Sequence, residues 1–317
     1  MSKRILVTGS IAYDVLLGYD GLFADALDPQ ALENISLSFF SSHYAKHHGG
    51  TGANVAWNLR LLQADPLLVG SVGNDGQEYL EMLTKHGVAT DYIEQVADKV
   101  TATAIIGTDS EECQIAFFHP GADVGRAWPD LSAVRKDIVY ALVGPRDTSS
   151  MVAAMEWCDE NKVPVIFDPG QQIIAFGTDA LERLVRMSTI VVVNDYESNR
   201  LFDLLKRNED SILKLVDTLI VTDGDHGFTI FNKDGATAIR ACSPVKLVNP
   251  TGAGDAFRAG MLKGLGAGWD LPDACRLGAA MGSFAVEQEG TLMNSLKLED
   301  VSRRMEQFYE KEAPDLR

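Results

Sequence analysis

Short apolar runs rich in β-branched residues recur along this chain with helical patterns between them, and that alternation limits the fold more than any single motif. The runs are residues 5–8, 67–72, 138–143, 163–167, 189–193 and 218–221; the helical stretches include 52–63, 77–86, 149–161, 180–187 and 197–205. A strand that is apolar throughout must be covered on both faces, and helices between successive strands supply the crossovers that parallel pairing needs. The pattern predicts an α/β chain in three layers, α/β/α, around a central, mainly parallel sheet. Ligands then belong outside the carboxyl ends of the strands.

Two segments, 15–48 and 99–122, break the rhythm. Within them 34–42, 101–108 and 114–118 read as strands that follow one another without a long crossover helix, which predicts a small antiparallel or mixed sheet. Long insertions in compact domains are usually functional, so these segments are read as a lid inserted in one domain spanning 1–317. The sequence shows no internal repeat, low-complexity tract or linker.

The chain has 28 Lys and Arg against 45 Asp and Glu, a formal charge of −17, over 317 residues of which 46% are hydrophobic. Such a surface argues against nucleic-acid backbones and anionic membranes, both of which need a basic face. An anionic cosubstrate would need local help from a metal cation, backbone amides or a placed Arg. Cys113, Cys158, Cys242 and Cys275 show no CxxC spacing, so neither a zinc site nor a disulfide framework is signalled, and reduced thiols in a cytosol fit best. The start, Met1-Ser2-Lys3-Arg4-Ile5-Leu6-Val7, begins like a signal peptide, but Asp14 interrupts the apolar run and no A-x-A-like site follows. No segment approaches the ~20 apolar residues of a membrane span, so the expectation is a soluble cytoplasmic protein.

The densest chemistry lies at Asn249-Pro250-Thr251-Gly252-Ala253-Gly254-Asp255, running into Ala256-Phe257-Arg258-Ala259-Gly260. Gly252 and Gly254 let consecutive N–H groups converge on an anion at a helix start. An acidic side chain there would repel a phosphate, so the simplest task for Asp255 is to take a proton from an attacking hydroxyl. A second Gly-rich segment, His47-His48-Gly49-Gly50-Thr51-Gly52-Ala53-Asn54, offers Asn54 in a first helical turn, with an amide that both donates to and accepts from a hydroxyl.

Asp14, which ends the first strand in Gly9-Ser10-Ile11-Ala12-Tyr13-Asp14, can accept from two vicinal hydroxyls; the plain alternative is a turn or cap aspartate. Asn194 and Glu197 are oxygen donors suited to Mg²⁺, or else a helix cap. Thr222, Gly224 and Gly227 border a nucleotide or turn a corner. The six histidines show no HExxH spacing and no GxSxG elbow occurs, so neither a zinc hydrolase nor a serine nucleophile is supported.

Together these residues resemble the ribokinase-like, or PfkB, family of sugar and nucleoside kinases. Both glycine elements occur in the family's order, Gly49-Gly50-Thr51-Gly52-Ala53-Asn54 and Gly252-Ala253-Gly254-Asp255, and Asn194-Asp195-Tyr196-Glu197 fits its N-x-x-E element. Within the family the chain looks most like bacterial adenosine kinases and archaeal nucleoside kinases, through residues 7–14, 36–39, 114–122 and 168–172.

The resemblance implies ATP-dependent phosphorylation of a nucleoside 5′-hydroxyl. Asp255 would be the base, with Gly252, Ala253 and Gly254 as anion hole. Asp14, Gly50 and Asn54 would hold ribose hydroxyls, and Ser10, Ser38, Phe118 and Gln172 would line the pocket, Phe118 covering a purine from the lid. Asn194, Thr222, Gly224, Gly227 and Arg258 would bind ATP, with Mg²⁺ at Asn194 and Glu197. Arg258 either faces the phosphates or pairs with a surface carboxylate. Asn249 stands where the family usually has Asp, which puts activation by K⁺ in doubt. A PfkB-type sugar kinase and a non-catalytic nucleoside-binding sensor are the alternatives. Apolar lid residues, if exposed, would serve a homodimer.

Overall fold

The apolar runs become the strands of one large sheet, and the helical patterns cover it on both sides. The computed structural model describes residues 3–26 and 36–316. In chain order its elements are β1 (Arg4–Thr8), β2 (Ala12–Gly18), α1 (Phe23–Ala26), β3 (His43–Gly49), α2 (Thr51–Leu61), β4 (Asp65–Val72), α3 (Gln77–His86), β5 (Ile93–Gln95), β6 (Ala102–Thr108) and β7 (Gln114–His119). There follow β8 (Ile138–Val143), α4 (Thr148–Glu160), β9 (Val165–Phe167), α5 (Thr178–Met187), β10 (Ile190–Asn194), α6 (Asp195–Leu205), α7 (Glu209–Ile212), β11 (Thr218–Asp223), β12 (Gly227–Asn232), β13 (Gly235–Ile239), α8 (Ala253–Ala267), α9 (Leu271–Ala285) and α10 (Leu298–Tyr309).

Among the described residues the large sheet has nine strands in the order β13-β12-β11-β10-β9-β8-β1-β4-β5. From β11 to β5 every pairing is parallel, while β12 and β13 are added antiparallel at one edge. Successive side chains on a strand point to opposite faces. Ile190 and Val192 of β10 accordingly enter a core with α2, α3, α8, α9 and α10, and Val191 and Val193 a second core with α4, α5 and α6. This is the three-layer arrangement read from the unbroken apolar runs.

The small sheet has the order β3-β2-β6-β7, with β2 and β6 parallel and both outer pairs antiparallel. Two of its strands differ from the sequence reading. β2 and β3 replace the strand expected at 34–42, of which Asn34 and Ile35 lie outside the described residues and the rest is irregular. Phe39 of that segment is held by rings, its centroid 5.0 Å from those of Tyr19 and Phe23, instead of by a ladder. β3 reads His-Tyr-Ala-Lys-His-His-Gly with a half-exposed face, so no apolar run marks it.

The register aligns Asp14 of β2 with His47 of β3 and Ala104 of β6, and Ala104 in turn with Phe118 of β7. Cross-strand partners share a face, so Asp14, His47 and Phe118 lie on one side of the small sheet. Ile105 and Phe117 are exposed on the other.

The return from β7 to the body is pinned by a buried ion pair. Asp123 accepts from Arg146 and, at 2.9 Å, from the Asp147 amide, while Arg146 also donates to Thr8 Oγ1 at 2.9 Å. Only 2% of the Arg146 side chain and 5% of Asp123 are exposed. Removing one partner of such a pair leaves an uncompensated buried charge, so Asp123→Ala should cost about 3–5 kcal/mol in urea unfolding. Replacing both residues with apolar side chains should recover most of that loss. An Asp123→Ala protein as stable as its parent would contradict this account of the anchor.

Candidate active site

Two Gly-rich segments meet at the carboxyl edge of the large sheet. Gly50, the N-cap of α2, has φ 92°, and a Cβ there would stand 2.6 Å from the Ala12 nitrogen and the Ser10 oxygen. Only glycine fits this turn without strain. The cap has no side chain to satisfy the first amides of the helix, and Ser10 does it instead: its Oγ accepts from the Thr51 N–H at 3.1 Å and its carbonyl from Gly52 at 3.0 Å. Ser10, expected in the pocket, thus holds the start of α2.

Asn54 in the first turn of α2 donates from Nδ2 to Asp255 Oδ2 at 2.8 Å. Its Oδ1 accepts from the Thr291 hydroxyl at 3.0 Å, which fixes the orientation of the amide. Asp255 is itself in the first turn of α8, whose N-cap Gly252 has φ 87° and contributes no side-chain cap. The turn before it is closed by Asn249, whose Oδ1 accepts from the Thr251 N–H at 2.9 Å.

Asp255 is only partly exposed, and its pKa is pushed up to about 7. Burial is the largest cause; repulsion from Asp168 and Asp14 adds to it, while the Asn54 hydrogen bond and the Arg258 charge oppose it. Asp14 is raised to about 6, again by burial, against a lowering by His47. Tyr79 lies near both carboxylates, and its hydroxyl donates to the Gly49 carbonyl at 2.5 Å. Asp14 sits within β2 of the small sheet and not, as the sequence reading had it, at the end of the first strand.

Thr222, Gly224 and Gly227 line one cavity of about 480 Å³ with Pro250, Ala253, Gly254 and Phe257. The cavity therefore runs from the turn between β11 and β12 to the first turn of α8, and its size is that of a small-molecule site. Phe118 is 52% exposed on the face it shares with Asp14, Gln172 is half-buried in the turn after β9, and Ser38 stands exposed on the irregular segment.

Arg258 corrects both sequence readings. It neither lines that cavity nor pairs with a surface group: it forms an ion pair with Asp168, with side-chain exposures of 8% and 3%, and donates from Nη1 to the Gly254 carbonyl at 3.0 Å. Asn194 and Glu197 form the helix cap, each side chain accepting from the other's backbone N–H, at 2.8 Å to Asn194 Oδ1 and 2.9 Å to Glu197 Oε2. Among the described residues no group of three or more His, Cys, Asp or Glu could hold a metal ion.

Sequence reading gave no role to Thr291, Tyr79 and Asp168. Asp168 carried a signal, an acid at the end of an apolar strand; Thr291 and Tyr79 carried none, because their contacts with 54 and 49 depend on the tertiary fold.

Residues 4–297 match the family described as pfkB family carbohydrate kinase. The chain is 33% identical over 298 residues to a nucleoside kinase of Methanothermobacter thermautotrophicus, covering 92% of each. It superposes with a TM-score of 0.86 and 34% identity on a Burkholderia thailandensis nucleoside kinase in complex with inosine, over 98% of this chain and 100% of that one. The same enzyme in complex with ADP-inosine gives 0.84 at 35% identity over 99% of each.

Because the pKa of Asp255 is raised on folding, from 3.8 to about 7, its ionisation costs stability. That cost is absent below the unfolded value, grows as pH rises and is complete above the folded one. Asp255→Asn should therefore stabilise the protein at pH 8 by on the order of 2 kcal/mol, allowing for the part of the carboxylate open to the cleft, and not at pH 4. Equal effects at both pH values in urea titrations would refute the burial of this charge.

Proposed function

We propose that this chain, which belongs to the pfkB family of carbohydrate kinases and is a phosphotransferase with an alcohol group as acceptor, uses ATP to phosphorylate the 5′-hydroxyl of a purine nucleoside. The observation that carries this reading is the register of the small sheet, which sets the exposed ring of Phe118 on the same face as Asp14. A carboxylate for vicinal hydroxyls and an aromatic face for a heterocycle suit a nucleoside, whereas a free sugar has no use for the ring. The similarity to a nucleoside kinase solved in complex with inosine supports the same choice.

In this reading Asp14 and Asn54 hold the ribose with its free hydroxyl toward Asp255. The first turn of α8 offers amides to the transferring phosphoryl group, where the N-cap leaves them without a side-chain partner. Asp255 accepts the hydroxyl proton, and a pKa near neutrality keeps it both ionised and basic enough for that role. The cavity beside Gly254 takes the nucleotide, its apolar walls of Phe257, Leu247 and Val286 against the base. Mg²⁺ enters with ATP and neutralises phosphate charge when bound. Closure of the small sheet over the nucleoside would exclude water from the reacting groups.

A panel of purine and pyrimidine nucleosides, ribose and fructose, each with Mg·ATP, tests the acceptor: purine nucleosides should be phosphorylated with the highest kcat/KM. Preference for a free sugar would refute the role of Phe118, and no ADP formation with any of them would favour a binding protein. Asp255→Asn should lower kcat by about 10²–10⁴-fold with nucleoside Kd little changed. Turnover within about tenfold of the parent, some 1.4 kcal/mol, would remove Asp255 as the base.

A further inference from the structure

The helix that carries Asp255 also carries a buried cation that the proposed reaction does not use. Arg258 lies one turn beyond Asp255, where a phosphate-binding arginine would be exposed to the cleft, yet it is 7% exposed and turned inward. Its guanidinium bridges two elements, donating to the carbonyl of Gly254 in its own first turn and pairing with Asp168 at the end of β9. A Cβ on Gly254 would come within 2.9 Å of Arg258 Nη1, so the guanidinium rests directly against this backbone.

We infer that Arg258 is a positioning residue for Asp255: it clamps the first turn of α8 through Gly254 and places a positive charge behind the carboxylate, while Asp168 holds the guanidinium there and limits its effect. This rests on reading Asp255 as the base. The groups facing Asp255 come from several elements. Asn54 donates to it from α2; Asp14 on β2, Tyr79 on α3 and Asp168 after β9 lie around it; Arg258 lies behind it; and Glu197 on α6 faces Arg258.

Among these, Arg258 lowers the Asp255 pKa and Asp168 raises it. The pair therefore acts on the base with opposite signs. A base buried among other carboxylates and lacking the cation would remain protonated further into the neutral range. With the cation unopposed it would ionise more readily and be a weaker proton acceptor.

The opposed signs give a test that mere structural damage does not imitate. The pH dependence of kcat/KM should be measured for the parent, Arg258→Met, Arg258→Lys and Asp168→Asn with a nucleoside and Mg·ATP. In the parent the acidic limb should lie near neutrality. Arg258→Met should move it up by about one unit, Asp168→Asn should move it down, and Arg258→Lys should return it toward the parent. A disordered first turn would instead lower the plateau and leave the limb in place.

Limbs that do not move, or that move the same way in both variants, overturn the inference. If Arg258→Met does not fold, the double variant R258M/D168L, which removes both charges, takes its place, and its limb should lie above that of Asp168→Asn. A parent profile without an acidic limb between roughly pH 5 and 9 would overturn the base itself, and this inference with it.

Discussion

The hydrogen bond from Asn54 to Asp255 is the contact on which the site depends. It joins residues 201 positions apart, and each lies in the first turn of its helix, so the amino ends of α2 and α8 come together at one point. Helix amino ends carry partial positive charge and unpaired N–H groups. Ser10 occupies the first amides of α2, while the N-cap of α8 offers no side chain to its own, so of the two ends it is that of α8 whose amides lack a side-chain partner. The large sheet makes this meeting possible. α2 follows β3 and packs on the same face of the sheet as α8, in a common core with Ile5, Val7 and Leu68.

The magnitudes decide what kind of carboxylate results. A unit charge about 4 Å away in surroundings of effective dielectric near 20 is worth about 4 kcal/mol, and a helix terminus contributes at most about 2 kcal/mol. Arg258 and Asn54 pull the Asp255 pKa down, but burial and the two neighbouring aspartates outweigh them and the net shift is upward, to about 7. The upward causes prevail, burial foremost among them. A carboxylate left to solvent would be a weak base at neutral pH, and one buried without Arg258 would stay protonated; the arrangement lies between these limits.

Legibility in the sequence followed the range of the interactions. β1, β4, β8, β10 and β11 were readable because strands covered on both faces are apolar throughout, and that is a local property. β2 and β3 were not, since a sheet wet on one side tolerates a strand such as His43–Gly49 that carries three histidines and a lysine. Of the site, Gly50, Asn54, Gly252 and Asp255 were readable from turns and helix starts that four to six neighbouring residues determine. The placement of Arg258 was not. Its distance of three residues from Asp255 left open whether it faces the cleft or the core, and the deciding partner, Asp168, is 90 positions away at the end of another strand. Asn194 and Glu197 show the converse limit: the same spacing serves a metal or a capping box, and the reciprocal hydrogen bonds of the cap are what the fold adopts.

The charge of the chain also takes on a narrower meaning. A formal −17 describes the outer surface, where fields of many side chains sum, but says little about a cleft whose local field comes from backbone dipoles. The cavity that reaches Gly254 is lined mainly by apolar side chains and by the glycines of two turns, with Asp225 as an acidic residue among them. Under the proposed function, a nucleotide in this cavity would meet the amides of α8 at its phosphate end, with Phe228, Phe257, Leu247 and Val286 along its remaining surface. Arg258, facing inward, leaves that end of the cleft to amides and to whatever cation the ligand itself brings. The acidic surface and the proposed anion site are therefore compatible, because the first is built from side chains and the second from the start of a helix.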